Sequence, residues 1–80
     1  MADAVNSMGQ VFAERLKDER EKVCKISRKD MAKRLGIPYE TYRNYESIGS
    51  HHREPDFDTL VRIAEILETT TDYLLGKESV

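Results

Sequence analysis

Four side chains with ends suited to nucleobase edges lie close together near the middle of the chain: Tyr39, Glu40, Arg43 and Asn44. Arginine matches the paired acceptors of guanine, asparagine the donor and acceptor of adenine, glutamate the amino group of cytosine, and tyrosine a phosphate or a thymine methyl. On a helix turning about 100° per residue, these four share a side with Ser47. Thr41, Tyr42, Tyr45 and Glu46 fall on the other side, so the segment separates an aromatic inner face from a hydrogen-bonding outer face. Exposed polar residues are also ordinary on a short solvated helix, and Glu40 in a first turn suits the helix dipole whether or not a ligand is present. The elements that hold this face therefore carry the weight of the reading.

Those elements lie in SRKDMAKRLGIPYETYRNYE, residues 27–46. Met31, Ala32 and Leu35 share one face of a short helix. Ser27 and Asp30 form an arrangement close to a capping box at its start. Gly36 supplies the positive φ that ends it. Pro38 stands at or beside the first position of the next helix, where a missing N–H costs nothing.

The remaining chain reads as support. A first helix is expected over about residues 8–24, with Phe12, Leu16 and the end from Val23 to Ile26 on the core side. A fourth helix is expected over about residues 56–68, opened by Pro55 and carrying Phe57, Leu60, Val61, Ile63, Ala64 and Leu67 as a broad apolar stripe. Thr69, Thr70 and Thr71 interrupt it and offer a hydroxyl cap to a last short helix with Tyr73, Leu74 and Leu75, closed by Gly76. The expected organisation is a flexible end over residues 1–7, one domain over 8–76 and a tail over 77–80. No β pattern, repeat or low-complexity tract is visible.

Eighty residues bound the protein to one small domain with too little chain to enclose a catalytic pocket. No nucleophile stands with a base and no carboxylate pair forms a cleft, so no enzyme is expected. Adjacent His51 and His52 rarely ligate one ion together, and no cysteine or carboxylate set stands at a familiar metal spacing, so neither metal nor cofactor is expected. Cys24, the single cysteine, forms no internal disulfide and reads as a small, partly buried hydrophobe. No signal peptide or spanning segment is visible, which points to a reducing cytoplasmic setting without membrane contact.

Net charge is −2, which by itself does not announce a nucleic-acid binder. Its distribution does more: residues 25–53 hold seven basic side chains against three acidic, while residues 54–80 hold two against seven. Salt screens charges beyond about 8–10 Å, so a phosphate backbone would meet the local balance of the motif rather than the total. A mixed charged surface that simply keeps a small helical protein soluble is the plain alternative.

The segment resembles the helix-turn-helix of the Cro and phage-repressor, or XRE, family of DNA-binding domains. The likeness rests on Ala32, Gly36, Ile37, Tyr42 and Tyr45. It extends to AERLKDER before the motif and EPDFDTLVRIAEILETTTDYLLG after it, covering roughly residues 10–76. It implies an all-α, compact five-helix bundle with the helix-turn-helix at about residues 28–46. It implies a nucleic-acid role for the outer face, on which Tyr39, Glu40, Arg43 and Asn44 are the expected base contacts by their own chemistry, with Arg28, Lys29, Thr41, Ser47, Ser50, His51, His52 and Arg53 as the expected phosphate contacts. Arg28 stands where the family usually has glutamine, which makes a more electrostatic and less orientational contact expected there.

The resemblance also implies an ion pair between Arg20 of the first helix and Glu46, answering the cost of an inward-facing carboxylate. Two departures accompany it. The connection from Arg20 to Ser27 is one residue longer than usual and lacks the family's common glycine, and the loop SIGSHHREP carries about three extra residues, with Ile48, His51 and His52 among them. The implied function is sequence-specific binding of double-stranded DNA by a transcriptional repressor or regulator acting as a homodimer. Ile48, Tyr73, Leu74 and Leu75 are the candidates for the dimer surface, although the last three could simply close the core. The alternative is a protein-interaction module of the same fold, such as an antitoxin bound to its toxin through the acidic half.

Overall fold

The computed structural model describes residues 8–77. The flexible end expected over residues 1–7, and the expected tail apart from Lys77, lie outside the described residues. All regular structure among the described residues is helical: α1 (Met8–Asp18), α2 (Arg28–Leu35), α3 (Tyr39–Tyr45), α4 (Phe57–Ile66) and α5 (Thr71–Leu74). A π-helical turn, Glu19–Cys24, continues α1. The all-α, five-helix expectation is met.

Local chemistry accounts for the helix ends. Ser27 accepts the Asp30 N–H at 3.1 Å, Asp56 accepts the Thr59 N–H at 2.8 Å, and Thr70 accepts the Tyr73 N–H at 3.0 Å, so α2, α4 and α5 each start on a side-chain cap. Gly36, at φ 70°, ends α2 in the left-handed region, and the Ile37 N–H returns to the Ala32 carbonyl at 3.1 Å. Pro38 follows in an extended conformation, directly before Tyr39. The turn between α2 and α3 is therefore fixed by two residues with restricted or special backbone freedom.

The π turn occupies the connection that leads from Arg20 towards Ser27. A π segment is a local widening that accommodates one additional residue within a helix. Here the Arg20 carbonyl accepts the N–H groups of both Lys25 and Ile26, and Lys25 turns the chain at φ 55° and ψ 47°. A residue with a Cβ thus occupies a left-handed position usually left to glycine. Arg20 keeps an inward direction and is buried. Val23, expected on the core side, is instead 63% exposed. A π turn holds more residues than an α turn, so positions beyond Arg20 lag the α-helical wheel and Val23 swings into solvent.

The core joins Phe12 and Leu16 of α1, Met31, Ala32 and Leu35 of α2, Tyr42 and Tyr45 of α3, Ile63, Ala64 and Leu67 from α4 and its cap, and Leu74 of α5. The rings of Tyr42 and Tyr45 meet edge to face, with centroids 6.0 Å apart and planes at 76°. Two members of the expected α4 stripe are missing. Phe57 is 86% exposed and Val61 46%. They stand four residues apart on one face, whereas the contact made by α4 runs through Ile63, Ala64 and Leu67, so the apolar stripe is wider than the surface it covers. Leu74, a dimer candidate from the sequence, is fully buried and has no surface to offer a second copy.

Two stability measurements check this description. Lys25→Gly relieves a left-handed Cβ and is expected to stabilise by about 1 kcal/mol, or about 4–8 °C in Tm for a domain of this size. Phe57→Ala is expected to change stability by no more than about 0.5 kcal/mol, against about 3–5 kcal/mol lost on Phe12→Ala. A large loss at Phe57 would show that it packs into the core.

Candidate nucleic-acid interface

Glu46 sits at the end of α3 with its side chain 2% exposed, and an unpaired carboxylate there would be costly. Four donors converge on it. Arg20 Nε reaches Oε2 at 2.6 Å and Arg20 Nη2 reaches Oε1 at 3.0 Å. The Tyr42 hydroxyl donates to Oε2 at 2.5 Å, and Arg28 Nε donates to Oε1 at 3.1 Å. A further Arg20 nitrogen, Nη1, donates to the Ile26 carbonyl at 2.8 Å. One carboxylate thus ties the end of α1, the start of α2 and the inner face of α3.

The pKa values follow from this arrangement. Burial alone pushes the Glu46 carboxyl up; the hydrogen bonds from Arg20 and Tyr42, the Arg20 charge and the bond from Arg28 together outweigh it, and the carboxyl titrates below its ordinary range. Burial first, and then the Glu46 charge and bond, push the Tyr42 hydroxyl far up, so it remains a donor. For Arg20 the opposing effect of burial is overcome by the bond and charge of Glu46. Arg28 is raised by a hydrogen bond with Tyr39 and, against burial, by its bond to Glu46.

Tyr39, Glu40 and Arg43 are exposed, while Asn44 is half-buried. Arg43 Nη2 donates to Glu40 Oε2, so these two expected base contacts are partnered with one another. The Asn44 carbonyl accepts the N–H groups of Ser47 at 3.3 Å and Arg53 at 3.0 Å, which folds the long loop back onto the end of α3. Ser47 donates its hydroxyl to the Arg43 carbonyl at 3.1 Å, and Thr41 is half-buried.

Among the expected phosphate contacts, Lys29, Ser50, His51 and Arg53 are exposed. His52 is placed differently. Its Nδ1 lies 2.8 Å from the Ser47 carbonyl, and its Nε2 is buried beside Gly9 of α1, where a Cβ would come within 2.9 Å of it. The ring closes the loop onto α1 instead of standing free for a phosphate, because only a glycine at position 9 leaves room for it. Ile48 is 56% exposed. Tyr73 is half-buried under the Arg15 guanidinium, which stands 4.4 Å over its ring and donates to its carbonyl at 2.7 Å.

Sequence reasoning missed the third and fourth bonds to Glu46. The Tyr42 bond has a sequence signal, the i,i+4 spacing of Tyr42 and Glu46 on the inner face. The Arg28 bond has none, because it depends on how α2 crosses α3.

The chain is similar in sequence to known proteins. The family pattern described as "Helix-turn-helix" matches residues 16–74. The chain belongs to the XRE-type helix-turn-helix family. Over 69 residues, 86% of the chain, this helix-turn-helix protein is 46% identical to the uncharacterized HTH-type transcriptional regulator YqaE of Bacillus subtilis (strain 168), covering 56% of that relative. Over the same share it is 39% identical to the HTH-type transcriptional regulator ImmR of the same organism, covering 51% of it. A shorter match, 43% over 44 residues, joins it to the HTH-type transcriptional regulator AnsR, with 55% of the chain and 35% of the relative covered. The chain spans about half the length of the first two. No solved structure matches at a comparable level of significance. Among the described residues no helix is long and apolar enough to cross a membrane.

The node within this helix-turn-helix domain has a pH signature. A carboxyl held low in the folded state contributes stability that is present above its unfolded value, about 4.3, and lost as pH falls through its lower folded value. Glu46→Ala leaves Arg20 without its buried counter-charge, with only the more exposed Glu21 beside it, and is expected to cost about 3–5 kcal/mol at neutral pH. That cost should shrink as the wild type is acidified below about pH 4.3, where protonation removes the same charge. Thermal melts of both proteins across this range provide the check, and a constant difference in Tm would contradict the assignment.

Proposed function

We propose that this domain binds double-stranded DNA sequence-specifically, as the DNA-reading part of a transcriptional repressor or regulator in the cytoplasm. The supporting observation is the division of α3: Tyr42, Tyr45 and Glu46 are buried, while Tyr39, Glu40 and Arg43 remain exposed on a helix whose position the core fixes. Helix-turn-helix domains place such a helix in the major groove, with its outer residues on base edges. Arg43 and Asn44 would read purines, with Glu40 and Tyr39 beside them. Arg28, Lys29, Ser50, His51 and Arg53 would hold the backbone on either side. The names of the relatives, all transcriptional regulators, support the same reading.

One such helix spans only a few base pairs, so useful specificity calls for a homodimer on two half-sites, spaced by about one helical turn, roughly 34–36 Å. The exposed Ile48 and the partly buried Tyr73 and Leu75 remain the candidate dimer residues, without Leu74. The acidic half of the chain, residues 54–80, with Phe57 and Val61 exposed, favours a second reading in which a protein partner such as a toxin docks there.

Selection of bound duplexes from a random pool tests the reading. A recovered palindrome supports a DNA-reading homodimer, and a failure to enrich any sequence would overturn sequence-specific binding. Arg43→Ala combined with Asn44→Ala is expected to reduce discrimination between the selected site and random DNA by about 1–3 kcal/mol for each base that the variant can no longer read. Circular dichroism should show the helices unchanged. Unaltered specificity in that variant would remove α3 from the reading role.

A further inference from the structure

Arg28 stands in two environments at once. Its Nε is bonded to a carboxylate that is 2% exposed, yet its own side chain is 38% exposed, against 6% for Arg20 on the same carboxylate. The two oxygens of Glu46 accept four bonds, the full complement of their lone pairs. Glu21, whose side chain is 44% exposed, answers Arg20 from the other side at 3.3 Å, so the two guanidinium groups of the cluster meet two carboxylates. Arg20 is sealed inside, and of the two guanidinium groups on Glu46 it is that of Arg28 that reaches solvent.

A guanidinium carries five N–H groups in a rigid plane. With Nε fixed on Glu46 and a further hydrogen bond to Tyr39, the direction of that plane is set before any ligand arrives, and the η N–H groups outside those bonds are left for a ligand. The usual loss of side-chain freedom on binding then occurs on folding instead.

We propose that Glu46 is a positioning residue for the DNA backbone contact: it grips Arg28 through Nε and aims the remaining guanidinium N–H groups at a phosphate beside α3. The carboxylate that joins α1, α2 and α3 thereby also sets an external contact. Where a glutamine would offer a neutral amide, this chain presents a charged group with a fixed orientation, so the contact is both electrostatic and directional. This rests on the reading of Arg28 as a phosphate contact.

The test measures affinity of the full chain for a short duplex of mixed sequence across a range of salt, since a phosphate contact does not depend on base sequence. Arg28→Ala should flatten the salt slope by about one unit. Arg28→Lys keeps the charge but loses the planar fork; it should leave the slope unchanged while weakening binding about 5- to 10-fold. In a Glu46→Gln background, the penalty for Arg28→Lys should fall below about two-fold, because the grip is already weakened.

An unchanged slope in Arg28→Ala would mean that Arg28 meets no phosphate, and the reading beneath the proposal would fall with it. A flattened slope there, with Arg28→Lys binding as wild type, would leave the contact standing and overturn the positioning role. The same penalty for Arg28→Lys with and without Glu46 would also overturn it, since lysine would simply be the poorer ligand. If Glu46→Gln does not fold, the side-chain Nε–H resonance of Arg28 in the wild type decides. A signal protected from exchange, absent in Arg28→Lys and retained on the duplex, supports the proposal; an unprotected signal contradicts it.

Discussion

A carboxylate that is almost fully buried must have its charge answered and its lone pairs filled, and Glu46 imposes that condition on three helices at once. Arg20 arrives from the end of α1, Arg28 from the first residue of α2, and Tyr42 from the preceding turn of α3. Apolar packing alone would tolerate small rotations of these helices, because hydrophobic contact has little direction. Bonds of 2.5–3.1 Å to one group do not. The node therefore acts more on geometry than on net stability, since a buried ion pair gains little over a well-packed apolar substitute.

The same condition explains the departure from regular helix in the first element. Widening at Glu19–Cys24 is confined to a single turn, and the left-handed Lys25 redirects the chain at once. The exposed Val23 is a by-product of this accommodation. Similarly, the loop after α3 is drawn back by the Asn44 carbonyl and by His52 lodged against Gly9.

With α3 held in this way, its outer face is a surface of known orientation. Glu40 and Arg43 partner one another there, and both stay accessible. Positive charge gathers around the motif and negative charge in the second half of the chain, so one protein of net charge −2 can attract a polyanion locally. The exposed Phe57 and Val61 lie in the acidic half, on the portion of the α4 stripe that the small core does not reach.

Much of this was legible in the residues. Helical periodicity, the cap at Ser27, the hydroxyl cap offered by the threonines at 69–71, and the Gly36 turn determined the order of helices, because each depends on neighbours within a few positions. The inward direction of Tyr42, Tyr45 and Glu46 followed from the helical wheel for the same reason. The π turn, the outward swing of Val23, the burial of Leu74, the exposure of Phe57, the inward lodging of His52 and the Arg28 bond to Glu46 were not legible. They depend on which surfaces meet when five short helices share one small core, and an apolar or charged side chain carries no local mark of that outcome. Sequence by itself determined the helices and the two faces of α3; tertiary structure decided which polar groups converge on Glu46, because convergence from three helices is set by crossing geometry and not by spacing along the chain.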